Sequence, residues 1–334
     1  MREGAMSIVR CDSGICELRI IRSIVELYAL QIIRLVVELC ALRILRPVPE
    51  VYAHHIIRAL IRLVSLPPRF PTAPGTDILI LMRNLLLILA YDGTACKGWQ
   101  RLPGSGRTVQ EAVETALARV LGEDVNIIGA GRTDAGVHAE GQAANVHTGS
   151  TRPPEDILAD LNEALPRDIA CRSLKEVPER FHARYWAIAK TYRYRLHAHP
   201  IPDPFSQRYS LHVPESLDLP AMEASAAELV GRRDFSAFAN HRGLKKGGER
   251  DLRTVRIQRN GQFVDILFTA DGFLYNQARI MAGALIEAGL GRLGPKDIRG
   301  LLETKDRSAA PGAAPAQGLC LVRVEFRTET PEEE

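Results

Sequence analysis

Metal-ligand spacing is missing from this sequence. Its six cysteines, at positions 11, 16, 40, 96, 171 and 320, form no Cys-x-x-Cys pair and no His/Cys cluster of zinc spacing, so a reduced, cytosolic protein without structural metal is expected. No charged n-region, apolar h-region and cleavage site stand at the start of these residues, so no secretory leader is expected. Long apolar runs are missing too. Arg22, Glu26, Arg34, Glu38, Arg43 and Arg46 interrupt every candidate window of about 20 residues in the N-terminal part, which argues against a membrane span there. A basic surplus is absent from most of the chain. The net charge of +3 comes wholly from residues 1–81, which carry ten arginines, no lysine and seven acidic residues; beyond them acids and bases balance. Net charge therefore gives no support for nucleic-acid binding, and only a local basic surface could supply it.

What is present divides at about residue 81. Before it, arginine recurs at 10, 22, 34, 46 and 58, each time after two aliphatic residues such as Ile20-Ile21 or Ile56-Ile57. A twelve-residue repeat turns a helix by about 120° per unit, so successive arginines line no single face. As strands, the units would give a surface rich in Ile, Leu and Val that is prone to aggregate. The segment is expected to be translated upstream repeat DNA, with the physiological start at Met82; the Pro-rich link from Pro67 to Gly75 marks the boundary.

From Met82 the pattern is that of a folded α+β protein. Leu85 to Tyr91 reads as a strand buried on both faces. Thr108 with Glu111 forms a capping box for a helix that ends at Gly122, and its inward face carries Val113, Ala116, Leu117 and Val120. Strands are predicted over Val125 to Ile128, Gln142 to His147 and Ile169 to Val177, with a helix over Pro154 to Ala164 between the last two. Arg184 to His197 reads as one long strand with Trp186, Ile188, Lys190, Tyr192, Tyr194 and Leu196 on one face. After a helix from Leu219 to Val230, Arg259-Asn260-Gly261-Gln262 joins the runs Thr254 to Arg259 and Gln262 to Thr269 as a hairpin. A helix from Tyr275 to Ala288, a strand from Leu319 to Phe326 and a disordered acidic tail over 329–334 complete the reading. The hairpin argues for antiparallel pairing.

Between two strand-like runs lies Gly129-Ala130-Gly131-Arg132-Thr133-Asp134-Ala135-Gly136-Val137-His138. Its small residues leave room for a flat ligand to approach the backbone, and its single carboxylate has an arginine two residues away. A carboxylate kept ionised by a cation is a plausible nucleophile, although loop chemistry alone favours Asp134 as a residue that caps the loop or pairs with Arg132.

Gly131-Arg132-Thr133-Asp134-Ala135-Gly136-Val137-His138 resembles the catalytic loop of the tRNA pseudouridine synthase A (TruA) family. The other motifs of that family stand in order around it. They are Tyr91-Asp92-Gly93-Thr94 with Gly98-Trp99-Gln100, Phe181-His182-Ala183-Arg184, Lys190-Thr191-Tyr192-Arg193-Tyr194, Asp234-Phe235-Ser236-Ala237-Phe238 and Phe273-Leu274-Tyr275-Asn276-Gln277-Ala278-Arg279. The resemblance spans residues 82–327. It implies an extended mixed or antiparallel sheet built from two similar halves, 82–183 and 184–328, flanked by helices around a central cleft. It also implies isomerisation of uridine to pseudouridine at positions 38 to 40 of the tRNA anticodon stem-loop, by a cytoplasmic homodimer that needs no cofactor.

By the same resemblance Asp134 is the nucleophile and Tyr192 stacks on the extruded uracil. Arg279 faces the aspartate, and with Arg132 it would hold the carboxylate ionised, which favours a pKa below the ordinary value. Read alone, Tyr192 is a core strand tyrosine and Arg279 a surface arginine. Arg184, Arg193, Arg195, Gln100, Arg101, the Gly104–Arg107 loop and the basic loop Leu244–Arg250 are secondary candidates for RNA contact. His138, His147 and His182 have no metal spacing and are expected to play polar roles. The sequence departs from the family at Cys96, Ala237 and Gln277-Ala278, which touches packing or substrate grip rather than the proposed chemistry. The rival readings are a non-catalytic RNA-binding or chaperone-like module of the same fold and, last, a carboxylate-dependent hydrolase.

Overall fold

The computed structural model describes residues 82–102, 104, 106–240, 244 and 247–327. The repeat segment, the acidic tail, and Ser105, Lys245 and Lys246 of the two candidate loops lie outside the described residues.

Ten strands form one sheet. β1 (Arg83–Tyr91), β3 (His138–Thr148) and β4 (Ile169–Val177) make its first half, with α1 (Val109–Leu121) and α2 (Pro154–Ala164) packed on them. The second half holds β5 (Ala187–Ala198), β7 (Gly231–Asp234), β8 (Glu249–Asn260) and β9 (Phe263–Ala270), with α3 (Leu219–Leu229), α4 (Gln277–Gly289) and α5 (Pro295–Thr304). The last strand, β10 (Leu319–Phe326), lies between the halves, so the order is β4-β1-β3-β10-β5-β9-β8-β7. Two short strands sit beside this path, β2 (Ile128–Gly129) on β3 and β6 (Leu211–Val213) on β5. Pairing is antiparallel except between β10 and β3 and between β5 and β6. The expected mixed sheet flanked by helices is thus present.

One continuous core runs under the sheet. Leu85, Leu87 and Leu89 of β1 share it with Val113 and Leu117 of α1, Ile266 and Phe268 of β9, and Ile280 and Leu285 of α4. A smaller cluster on Leu86, Ala143, Phe181 and Trp186 covers part of the other face.

Local signals set most boundaries. The Thr108 hydroxyl accepts the Glu111 N–H at 3.3 Å, and Gly122 closes α1 in the left-handed region at φ 72°. The β8–β9 turn differs from its predicted centre by one residue, because Asn260 still pairs with Phe263 and leaves Gly261-Gln262 as the turn, with Gly261 at φ 61°. β5 starts three residues later than expected, since the Tyr185 and Trp186 amides turn back onto the His182 carbonyl. The strand expected over Val125 to Ile128 shrinks to Ile128–Gly129, because the Ile127 amide is taken by the Glu114 carboxylate at 3.0 Å.

The two halves meet where β10 pairs with β3, at Cys320 opposite His138 and Leu321 opposite Ala139. Gly141 makes this approach possible, since a Cβ there would overlap the Val322 carbonyl. Gly141→Ala must push backbone from backbone and is expected to cost about 3 kcal/mol, lowering Tm by roughly 6–12 °C in a calorimetric scan. A change below about 1 °C would mean that this junction is not under constraint.

Candidate active site

The loop between β2 and β3 carries Asp134, and its backbone is fastened along its length. Ala130 N–H donates to the Ala143 carbonyl at 2.8 Å, and the Ala130 carbonyl accepts from Lys190 Nζ at 2.8 Å. The next carbonyl, that of Gly131, accepts from Gln142 Nε2 at 2.9 Å. Trp99 N–H donates to the Thr133 carbonyl at 3.0 Å, and the Thr133 hydroxyl bonds the Tyr91 phenol at 2.8 Å. Gly98, at φ 92°, lets this segment lie against the loop: a Cβ there would come within 2.7 Å of the Thr133 carbonyl. The strand side is fixed by His138, whose Nδ1 takes the Gly93 N–H at 3.1 Å while Nε2 meets the Arg208 carbonyl at 2.8 Å.

The sheet register brings Tyr192 to this loop. Tyr192 on β5 is opposite Leu321 on β10, and Leu321 is opposite Ala139, just beyond the loop on β3. The phenol is 6% exposed and its ring meets Phe273 edge-on, with centroids 4.9 Å apart. Burial, and after it the negative charge of Asp134, push the Tyr192 phenol well up, so it is a neutral hydroxyl.

Arg279 enters from the first turn of α4. Its Nη1 lies 3.6 Å from Asp134 Oδ2 and 3.2 Å from Asn276 Oδ1, and its Nε donates to the Ala314 carbonyl at 2.7 Å. The guanidinium is therefore oriented by three partners, one of which is the carboxylate. Arg132, by contrast, is exposed, and the ion pair of Asp134 is made with Arg279. This changes the electrostatics from those expected. Burial raises the Asp134 carboxyl above its ordinary value, and the charge and hydrogen bonding of Arg279 offset it only in part. The expected depression of this pKa is overturned because burial of the carboxylate outweighs the single cation paired with it.

The secondary candidates divide. Arg193 pairs with Glu140 at 2.7 Å, Arg195 is bidentate on Asp265, Arg107 is bidentate on Asp168, and Arg101 pairs with Glu114 at 2.8 Å. Gln100 bonds Gln110. Arg184, like Arg132, is exposed. His147 meets the Glu179 carbonyl and His182 Nδ1 accepts backbone N–H groups, so both serve polar roles. Among the described residues no cluster of three metal-ligating side chains occurs, and no helix is long and apolar enough to cross a membrane. Of the departures, Cys96 and Ala237 are buried in the core, and Gln277 accepts the Leu274 N–H at 2.8 Å. Sequence reasoning assigned no role to Lys190 or Gln142, although alternation along β5 already put Lys190 on the face of Tyr192.

A half-buried carboxylate with one oriented guanidinium, beside a buried neutral phenol, can attack an electrophilic carbon and exchange a proton nearby. Comparison with known proteins gives the chemistry a setting. The family described as tRNA pseudouridine synthase matches residues 87–186 and 225–327. The tRNA pseudouridine synthase A of Bacillus sp. (strain KSM-64) is 44% identical over 245 residues, which are 73% of this chain and the whole of that protein. The protein of that name from Moorella thermoacetica is 44% identical over 246 residues, with the same coverage, and tRNA pseudouridine synthase A 1 of Clostridium tetani is 41% identical over 245.

Proposed function

The chain belongs to the tRNA pseudouridine synthase family, and from that premise we propose that it isomerises uridine to pseudouridine at positions 38 to 40 of the tRNA anticodon stem-loop. The observation that carries the reading is the 3.6 Å pair between Asp134, in the loop motif of the family, and Arg279 on α4. In this reading the enzyme comprises two halves, 82–183 carrying Asp134 and 184–328 carrying Arg279, and the parallel pairing of β10 with β3 supports it.

The reaction breaks the N1–C1′ bond of uridine, turns the uracil and joins C5 to C1′. N1 gains a proton and C5 loses one, so no electron or external group is needed and no cofactor is part of the proposal. Asp134 supplies the nucleophilic oxygen. Attack at C6, attack at C1′ and a glycal route all require the carboxylate in its ionised form. Tyr192 offers a ring face to the uracil and a hydroxyl for proton exchange, and burial keeps the loosened base away from bulk water. Arg279 orients Asp134. The exposed Arg132 and Arg184 reach for phosphates, a role open to them because neither is held in the ion pairs that occupy Arg193 and Arg195. The enzyme acts in the cytoplasm as a homodimer that grips one tRNA arm across both subunits.

Because the Asp134 carboxyl titrates above its ordinary value, activity that needs it ionised is lost as pH falls through that raised pKa. The acid limb of kcat/KM is expected above about pH 4, the usual carboxylate range, and a limb at or below that value would contradict the electrostatics. The reaction and its site are tested by digesting tRNA treated with the purified protein and separating the nucleosides. Pseudouridine is expected, and it disappears when uridines 38 to 40 are replaced by cytidine. Tight tRNA binding without pseudouridine would favour the non-catalytic module instead.

A further inference from the structure

Lys190 is a cation placed where packing alone would favour an apolar residue. It stands on β5 two residues before Tyr192, so the two side chains share a face, and Tyr194 and Leu196 further along that face are fully buried. Its Nζ reaches across to the carbonyl of Ala130 at 2.8 Å, in the loop that leads to Asp134. The fit is close on the other side as well, because a Cβ at Gly131 would come within 3.1 Å of Nζ. Of the side chains that fasten this loop, Gln142 and Tyr91 come from the first half of the chain, as the loop itself does. Lys190 alone of these comes from the strand that carries Tyr192.

We propose that Lys190 is a positioning residue for the isomerisation: it ties the Asp134 loop to the Tyr192 strand and so sets the distance between carboxylate and phenol. The inference rests on the functional reading above. It also makes the tie responsive to substrate. Burial pushes the ammonium down to about 8, and the cations of Arg184, ahead of β5, and Arg250, at the start of β8, push in the same direction; Asp271, after β9, opposes them. A phosphate of the tRNA that neutralised Arg184 or Arg250 would remove their part of the downward push, leaving that of burial, so Lys190 would stay charged to a higher pH with RNA bound. The tie would then be firmest when RNA is bound.

The sign follows. Below about pH 8 Lys190 is charged in the free enzyme; as pH rises through that value the charge-assisted bond to Ala130 weakens. The test compares wild type, Lys190→Met and Lys190→Arg in tRNA affinity, in the pH profiles of kcat and kcat/KM, and in hydrogen exchange of the peptide covering residues 129–136. Misplacement by about 1 Å can cost 100-fold, so Lys190→Met is expected to lower kcat at least tenfold with Kd within about threefold. Its loop should exchange at least tenfold faster, and Lys190→Arg should restore both readouts in part. In wild type, kcat/KM falls above about pH 8, kcat falls later, and Lys190→Arg loses this alkaline limb.

Three results would overturn the inference: kcat within twofold of wild type in Lys190→Met, a loss carried wholly by Kd, or unchanged loop exchange. If Lys190→Met does not fold, the pH comparison of wild type with Lys190→Arg decides, and an identical alkaline limb refutes the tie. Wild type that forms no pseudouridine would instead refute the functional reading, and loop exchange still reports on Lys190.

Discussion

Asp134→Asn is expected to abolish pseudouridine formation, to below roughly one-thousandth of the wild-type rate, while tRNA binding stays within about threefold. Asparagine matches aspartate in size, so the loop bonds at Ala130, Gly131 and Thr133, none of which involves the carboxylate, remain. What is lost is a charged oxygen able to form and release a bond to carbon. The amide can still occupy the space before Arg279, and the guanidinium keeps its bonds to Asn276 and Ala314. The check is single-turnover nucleoside analysis beside a filter-binding titration. Residual turnover near wild type would move the nucleophile elsewhere, and lost binding with retained turnover would make Asp134 an RNA contact.

Arg279→Met carries the second-largest effect. It removes the one cation paired with a half-buried carboxylate, so the Asp134 pKa, already raised by burial, is expected to rise further. A lost oriented charge at a reacting group costs about 100- to 1000-fold in kcat. The acid limb should move to higher pH with it, and part of the lost rate should return as the medium becomes more alkaline. Lys in place of Arg279 restores charge without the fork that reaches Ala314 and Asn276 together, so it should recover the limb better than the rate. A variant with reduced kcat but an unmoved limb would mean that Arg279 acts on the fold rather than on the carboxylate.

The sequence carried the apolar framework plainly. Pro154–Ala164, Ile169–Val177 and Leu319–Phe326 have the bounds that their patterns predict, because an initial proline or an alternating run fixes each locally. Elements whose existence depends on neighbours were not legible. β7, with Arg232 and Arg233, and the first residues of β8, Glu249 and Arg250, look like surface loop; they become strand because each supplies hydrogen bonds to the other. α5 was missed although its signal is present: Gly294-Pro295 precedes Asp297, whose carboxylate accepts the Gly294 N–H at 2.7 Å. At the site, no local pattern brings Arg279 to Asp134. That juxtaposition depends on long-range pairing of the sheet, and only the family resemblance implied it. The pKa of Asp134 went the other way from expectation because burial, which no local pattern announces, outweighs Arg279, while Arg132, the neighbour in sequence, is exposed.

The central claim is that an ionised Asp134, oriented by Arg279 beside Tyr192, lets uracil leave C1′ through nitrogen and return through carbon. Only that exchange expels the hydrogen on C5. Incubating tRNA labelled with tritium at uracil C5 with wild type and with Asp134→Asn measures it directly. The account predicts one tritium released to water for each pseudouridine formed by wild type and none from the variant. Equal release by both proteins, or pseudouridine formed without release, would contradict it.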